Sequence, residues 1–152
     1  MRGIRINIDT CGAVPWESFE RIMPYTDVFL YDIKLMDSEK HRSCTGRDNK
    51  EILENLTRLS ESGAGIWIRI PVIGGVNDNE EEIKAIGEFL QDRSIRADRV
   101  NLLPYHNTGS GKYGRVGMEY EGNDFYTPTE EVMQKLQGTL QNYINYPVLI
   151  GG

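Results

Sequence analysis

The chain has 152 residues, 39% of them hydrophobic and 26% charged, and carries a formal net charge of -6. A chain of this size buries on the order of two thirds of its unfolded surface, enough for a single domain over residues 1–152. The acidic balance argues against a nucleic-acid or anionic-membrane partner, and no segment resembles a signal peptide or reaches the roughly 20 apolar residues of a membrane span, so the cytoplasm is the expected setting.

Residues 2–8 alternate apolar and polar side chains and read as a strand, closed by Asp9-Thr10-Cys11-Gly12. A helix is expected over 16–23. Residues 27–33, rich in Val, Phe, Leu and Ile, form the second strand, which ends in Leu30-Tyr31-Asp32-Ile33-Lys34. The stretch 37–46, with His41 and Cys44, reads as a loop. A helix over 49–62 follows, with Ile52, Leu53, Leu56 and Leu59 on one face. The third strand, 65–72, holds Trp67-Ile68-Arg69-Ile70-Pro71. Gly74-Gly75 gives the turn into a helix over 80–90, capped by Asn77, Asp78 or Asn79. The fourth strand, 100–103, closes with Leu102-Leu103-Pro104-Tyr105-His106. Residues 106–127, poor in apolar side chains, read as an excursion over the strand tips. A helix over 129–143 and a short strand over 147–150 complete the chain.

Such alternation implies an α/β fold of four to five mainly parallel strands joined by right-handed crossovers with flanking helices. The units fall short of the eight of a closed barrel. Each strand ends in polar residues, and a βα repeat gathers those ends on one rim, where such folds place their chemistry.

Asp32 and Lys34 stand two apart on a strand and therefore on one face, where a carboxylate and an ammonium can hold the polar ends of a zwitterionic or ribose-bearing ligand. The ordinary alternative is a solvated pair at a strand end. Asp9, Thr10 and Asp32 bring hard oxygen donors to neighbouring tips, and two carboxylates there repel unless a cation lies between them. Capping of the turn toward Trp16 by Asp9 and Thr10 is the other reading. Arg69, inside an apolar strand, needs an anion, either a ligand's carboxylate or that of Asp32 or Asp9. His106 can serve a ligand from a fourth tip or be a surface residue; His41 reads as a loop-shaping residue. Residues 109–114 fit GxGxxG, but no apolar helix follows to cradle a phosphate. Cys11 and Cys44, 33 positions apart, read as free thiols.

Taken together, Asp9-Thr10-Cys11-Gly12, the Tyr31-Asp32-Ile33-Lys34 string with Asp37, His41, Thr45-Gly46 and Asn49, the run from Ile68 to Asp78, and Leu102 to His106 continuing to Lys112-Tyr113, Gly117 and Tyr120 resemble the carboxy-terminal portion of glycyl radical enzyme activating enzymes. The resemblance implies a partial (β/α) barrel that starts at its third strand. It also implies radical chemistry with S-adenosylmethionine and a [4Fe-4S] cluster, directed at a glycyl radical enzyme such as pyruvate formate-lyase or a homologue. Asp32, Lys34, Arg69 and His106 match residues that contact S-adenosylmethionine. Asp9, Thr10, Leu30 through its carbonyl, and Asp32 match a monovalent cation site. The family's CxxxCxxC loop and Gly-Gly-Glu segment are not in these 152 residues, and two distant cysteines cannot replace three thiolates, so no catalytic residue is assigned and the chain alone is expected to be inactive. The rival is a stand-alone ligand-binding or protein-interaction module without redox chemistry. An open edge along residues 3–8 predicts self-association.

Overall fold

The computed structural model describes residues 4–105 and 125–151. The elements run β1 (Asn7–Thr10), α1 (Trp16–Ile22), a 3-10 turn (Met23–Tyr25), β2 (Val28–Asp32), α2 (Ser38–Thr45), α3 (Lys50–Glu61), β3 (Ile66–Val72), α4 (Glu80–Asp92), β4 (Arg99–Pro104), α5 (Glu130–Gln141) and β5 (Val148–Ile150). The five strands form one sheet in chain order, every neighbouring pair parallel. This is the α/β arrangement expected of a partial (β/α) barrel.

Alternation along the strands sets the two faces apart. Phe29, Tyr31 and Ile33, Ile66, Ile68, Ile70 and Val72, Val100 and Leu102, and Val148 join one core cluster with Phe19, Leu56, Leu59, Ile83, Ile86, Leu90, Met133, Leu136 and Leu140 of the helices. Each such side chain, fully buried, contributes about 1.5–3 kcal/mol before the entropy of ordering is subtracted. The residues between them, Asp9, Leu30, Asp32, Trp67, Arg69, Arg99 and Asn101, project to the opposite, concave face. Helices stack on one side, and the concave side keeps its polar groups.

Most boundaries fall within a residue or two of expectation, and three differences have a clear physical cause. β1 begins at Asn7 rather than residue 2, because its ladder starts opposite Val28, and upstream of that point the neighbouring chain is still turning. There Ile6 N donates to Asp27 Oδ2 at 2.6 Å while Asp27 N donates to Ile6 O at 2.8 Å. Pro24 tightens the end of α1 into the 3-10 turn. The expected loop 37–46 is largely α2: Asp37 caps it by accepting from the amides of Glu39 and Lys40, and Gly46 ends it in a left-handed conformation. Cys44 thus lies buried on a helix, against Leu35, Ile73, Val76 and Tyr105, rather than in a loop. Burial pushes its thiol above the usual range.

Candidate functional site

The carboxyl ends of the strands are held by buried amide and carboxylate side chains from the helices and turns behind them. Asn55, on the buried stripe of α3, donates to Gly12 O at 2.9 Å and Val14 O at 2.7 Å, fixing the turn after β1. Asn49 donates to Leu35 O and Met36 O, at 3.0 and 2.7 Å, after β2. Asn77 donates to Lys34 O at 2.9 Å and Pro71 O at 2.7 Å and accepts from Ile73 N at 2.7 Å, tying the ends of β2 and β3 together. Glu82 accepts from Met36 N at 3.0 Å. All four side chains are buried, so each exchanges water for fixed backbone partners and makes the rim rigid. Asn79, the third cap candidate, is the one that caps α4, accepting from Glu82 N.

Gly12 has φ +78° and sits so close to the Tyr31 hydroxyl that any Cβ would overlap it. The Tyr31 phenol passes beneath the turn and donates to Ile52 O, and its burial pushes its pKa far up, so it stays a donor. The glycine of Asp-Thr-Cys-Gly is therefore a contact requirement.

On the concave face the predicted site residues assemble around Arg69. Register places Arg69 directly opposite Asp32, and its Nε donates to Asp32 Oδ1 at 2.8 Å. Nη1 lies 3.6 Å from Asp9 Oδ1. Nη2 has no acceptor among the described residues. The Arg69 and Asp32 side chains are 25% and 23% exposed and Asp9 is 68% exposed, so the first pair is shielded and the second is screened by solvent. Both carboxylates weighed for Arg69 are thus its partners. Lys34, half-buried, stands two residues beyond Asp32 on the same face. Leu30 occupies the concave position opposite Asp9 and Trp67.

Other residues are not gathered there. Thr10 pairs with Tyr31 on the helix-facing side, and its Oγ1 accepts from Gly12 N at 2.9 Å, so of the two capping residues it is the one that shapes the turn. His41 is buried in α2, with Nδ1 2.7 Å from Arg47 O, and does shape the turn after that helix. His106, the GxGxxG run, Lys112, Tyr113, Gly117 and Tyr120 lie outside the described residues. Below the charged trio, toward the amino ends of the strands, Trp67 carries the Arg99 guanidinium at 3.7 Å and that of Arg5 at 5.6 Å, and its Nε1 donates to Asp98 Oδ2. Arg99 Nε is buried without an acceptor among the described residues. Sequence reasoning overlooked this stack and the asparagine braces. Asn55 could have been noticed, since it falls three residues after Ile52 and four before Leu59, where an apolar side chain is the rule.

Asp9 and Asp32 are the hard oxygen donors that a monovalent cation takes, and both are paired with Arg69 in this structure. Among the described residues no three His, Cys, Asp or Glu side chains converge as a metal site; a monovalent ion would depend on the two carboxylates and backbone oxygens. The cysteines do not fit a cluster: Cys11 is exposed at the β1 tip and Cys44 is enclosed behind the sheet. Among the described residues no helix is long and apolar enough to cross a membrane.

The Radical SAM superfamily model matches residues 1–87. The chain is 46% identical, over 99% of its length and 50% of the relative's, to the trans-4-hydroxy-L-proline dehydratase activating enzyme of Clostridioides difficile. It is 36% identical, over 97% of its length and 48% of the relative's, to the choline trimethylamine-lyase activating enzyme of Oleidesulfovibrio alaskensis. It therefore spans about half the length of these curated relatives. Among solved structures, a domain of pyruvate-formate lyase-activating enzyme from Bacteroides vulgatus superposes with a TM-score of 0.81 at 33% identity, covering 98% of this chain and 82% of that one. Streptococcus suis SuiB bound to S-adenosylmethionine, at 15% identity and a TM-score of 0.71 over 98% of this chain and 33% of that one, shares the fold. A concave charged rim on a partial barrel, a superfamily match over more than half the chain and relatives of one kind converge: the chain belongs to the radical SAM superfamily, among its glycyl radical enzyme activating enzymes.

Proposed function

We propose that this chain forms the S-adenosylmethionine-binding and cation-binding wall of an activase that installs a glycyl radical on a partner enzyme, pyruvate formate-lyase or a homologue, in the cytoplasm. The observation that carries the reading is the Asp9–Arg69–Asp32 trio, placed on the concave face by strand register, with Nη2 left without an acceptor among the described residues. Arg69 offers that nitrogen to the ligand's carboxylate, while Asp32 accepts from amino or hydroxyl donors and Lys34 adds a second cation. His106 would serve the same ligand from the fourth strand tip. Asp9 and Asp32, with the Leu30 carbonyl and Thr10 through its backbone, would hold a monovalent cation beside it. With a reduced [4Fe-4S] cluster bound as well, the family's chemistry supplies a 5'-deoxyadenosyl radical that takes hydrogen from a backbone glycine. The cluster's thiolates have to come from a segment other than these residues. What this chain contributes is orientation: three charged side chains on rigid strands, with amide braces behind them.

Isothermal titration of S-adenosylmethionine into the chain tests the assignment. Lys34→Ala and Arg69→Ala should each weaken binding by about 1.5–3 kcal/mol, the scale of hydrogen bonds to charged groups. Unchanged affinity in both variants, with their fold verified by circular dichroism, would make the assignment wrong. Anaerobic addition of iron and sulfide should leave the chain without the cluster's visible absorption, because Cys11 and Cys44 cannot meet.

A further inference from the structure

We infer that the floor of the concave face, below the charged trio, is a carboxylate-binding subsite built from Arg99, Arg5 and Trp67. It is separate from the rim described above. Strand register sets Trp67 directly beside Arg99, and Trp67 stands two residues before Arg69 on β3, about 7 Å away. The Arg99 guanidinium lies 3.7 Å from the centre of the Trp67 ring and that of Arg5 5.6 Å from it. Each is attracted to the ring, but the ring carries no net charge, so two like charges gathered on it repel each other until an anion joins them. The chain has 23 acidic residues against 17 basic ones, yet among the described residues neither guanidinium is in an ion pair. Asp98, next to Arg99 in the chain, instead accepts from the Trp67 indole Nε1 at 3.1 Å.

The Nε of Arg99 identifies the group that fits. It is buried without an acceptor among the described residues. The residue as a whole is only partly buried, so the guanidinium can turn that edge toward an entering ligand. The hydrogens on Nε and the adjacent Nη form a planar fork that takes two oxygens side by side. Because the indole lies against one face of the fork, a planar carboxylate enters edge-on, whereas a tetrahedral phosphate would aim a further oxygen at the electron-rich ring. Leu30, opposite Trp67 on β2, walls the floor with apolar atoms and strengthens the pairing. Arg5, exposed at the sheet edge, adds a second positive charge at longer range. The carboxylate comes from a free acid or from an acidic side chain of a polypeptide lying along the groove, and both present the same planar group.

Nitrogen-15 spectra of the arginine Nε–H and tryptophan Nε1–H groups test this without any turnover, with acetate and two capped tripeptides, acetyl-Ala-Asp-Ala-amide and acetyl-Ala-Asn-Ala-amide, as probes. Acetate should shift the Arg99 Nε–H signal downfield and saturably, and sodium chloride at equal ionic strength should not. A tighter response to the aspartyl peptide than to acetate assigns the site to a polypeptide side chain, and a weaker one assigns it to a free acid. Read on the Trp67 Nε1–H signal, Arg5→Gln should weaken acetate binding about threefold. Arg99→Lys, which keeps the charge and loses the fork, should weaken it about tenfold. Should Arg99→Lys fail to melt cooperatively, the variant at the exposed Arg5 decides alone. An equal shift with chloride or with the asparaginyl peptide overturns the inference. So does acetate affinity unchanged in the folded variants, or a response confined to the Arg69 Nε–H signal, which would place the carboxylate on the rim and leave the rim reading standing.

Discussion

Asn77 shows how much one buried amide can organise. It satisfies two carbonyls and one amide on the ends of β2 and β3, and one of those carbonyls belongs to Lys34. Asn77→Ala strands all three backbone groups away from water, at about 1–3 kcal/mol for the first and less for each that relaxes toward solvent, so a total loss of about 3 kcal/mol is expected in urea unfolding. Asn77→Asp keeps the acceptor for Ile73 but sets a carboxylate against two carbonyl oxygens, and should be no better than alanine. An aspartate variant as stable as the parent would show that the donors do not matter. Residues such as Asp32, Lys34 and Arg69 were legible in the sequence because a charge inside an apolar run is conspicuous. Asn77 stood in plain view as a cap candidate, yet the two carbonyls its amide donates to lie 6 and 43 positions away and no local pattern encodes them.

At the level of elements, the sequence announced β3, β4 and α3 almost to the residue, since period-two and period-3.6 patterns were strong there. It concealed α2, whose polar sequence SEKHRSCT buries only His41 and Cys44 and so has no apolar stripe to read. Helix α4 carries a further hidden constraint. Gly87 is buried in the middle of it, where alanine would ordinarily gain about 1 kcal/mol of helix propensity. A Cβ there would come within 2.5 Å of the Tyr143 ring and 3.0 Å of its Cβ, just past α5. Because the clash includes the ring's base and not only its rim, rotation cannot clear it, and overpacking of this kind costs about 1–3 kcal/mol. Gly87→Ala should therefore destabilise the chain by about 1 kcal/mol net. A rise in melting temperature would mean that α4 and α5 separate freely.

At the scale of the whole molecule, the sheet has one densely packed side and one concave polar side, and β1 forms an edge. In a parallel ladder successive residues bond to alternate sides, and Ile6 O already accepts from Val28 N, so Asn7 and Asp9 direct their N–H and C=O groups outward. Ile4 and Ile6, 69% and 42% exposed, lie just upstream. The expected self-association is thus placed four residues further along than the sequence pattern implied. Two copies related by a two-fold axis through Ile8 would pair antiparallel, with Asn7 opposite Asp9 of the partner in hydrogen-bonded positions and no like charges face to face. Sedimentation at high micromolar concentration should show a dimer. Ile6→Lys, which puts a charge beside the edge while leaving the β1 ladder with β2 intact, should return it to a monomer. A parent chain that sediments as a monomer, with fast amide exchange at Asn7 and Asp9, would mean that water satisfies the edge. A dimer indifferent to Ile6→Lys would place the contact elsewhere, with Leu149 and Ile150 on the opposite edge strand, each 38% exposed, as the next surface to vary.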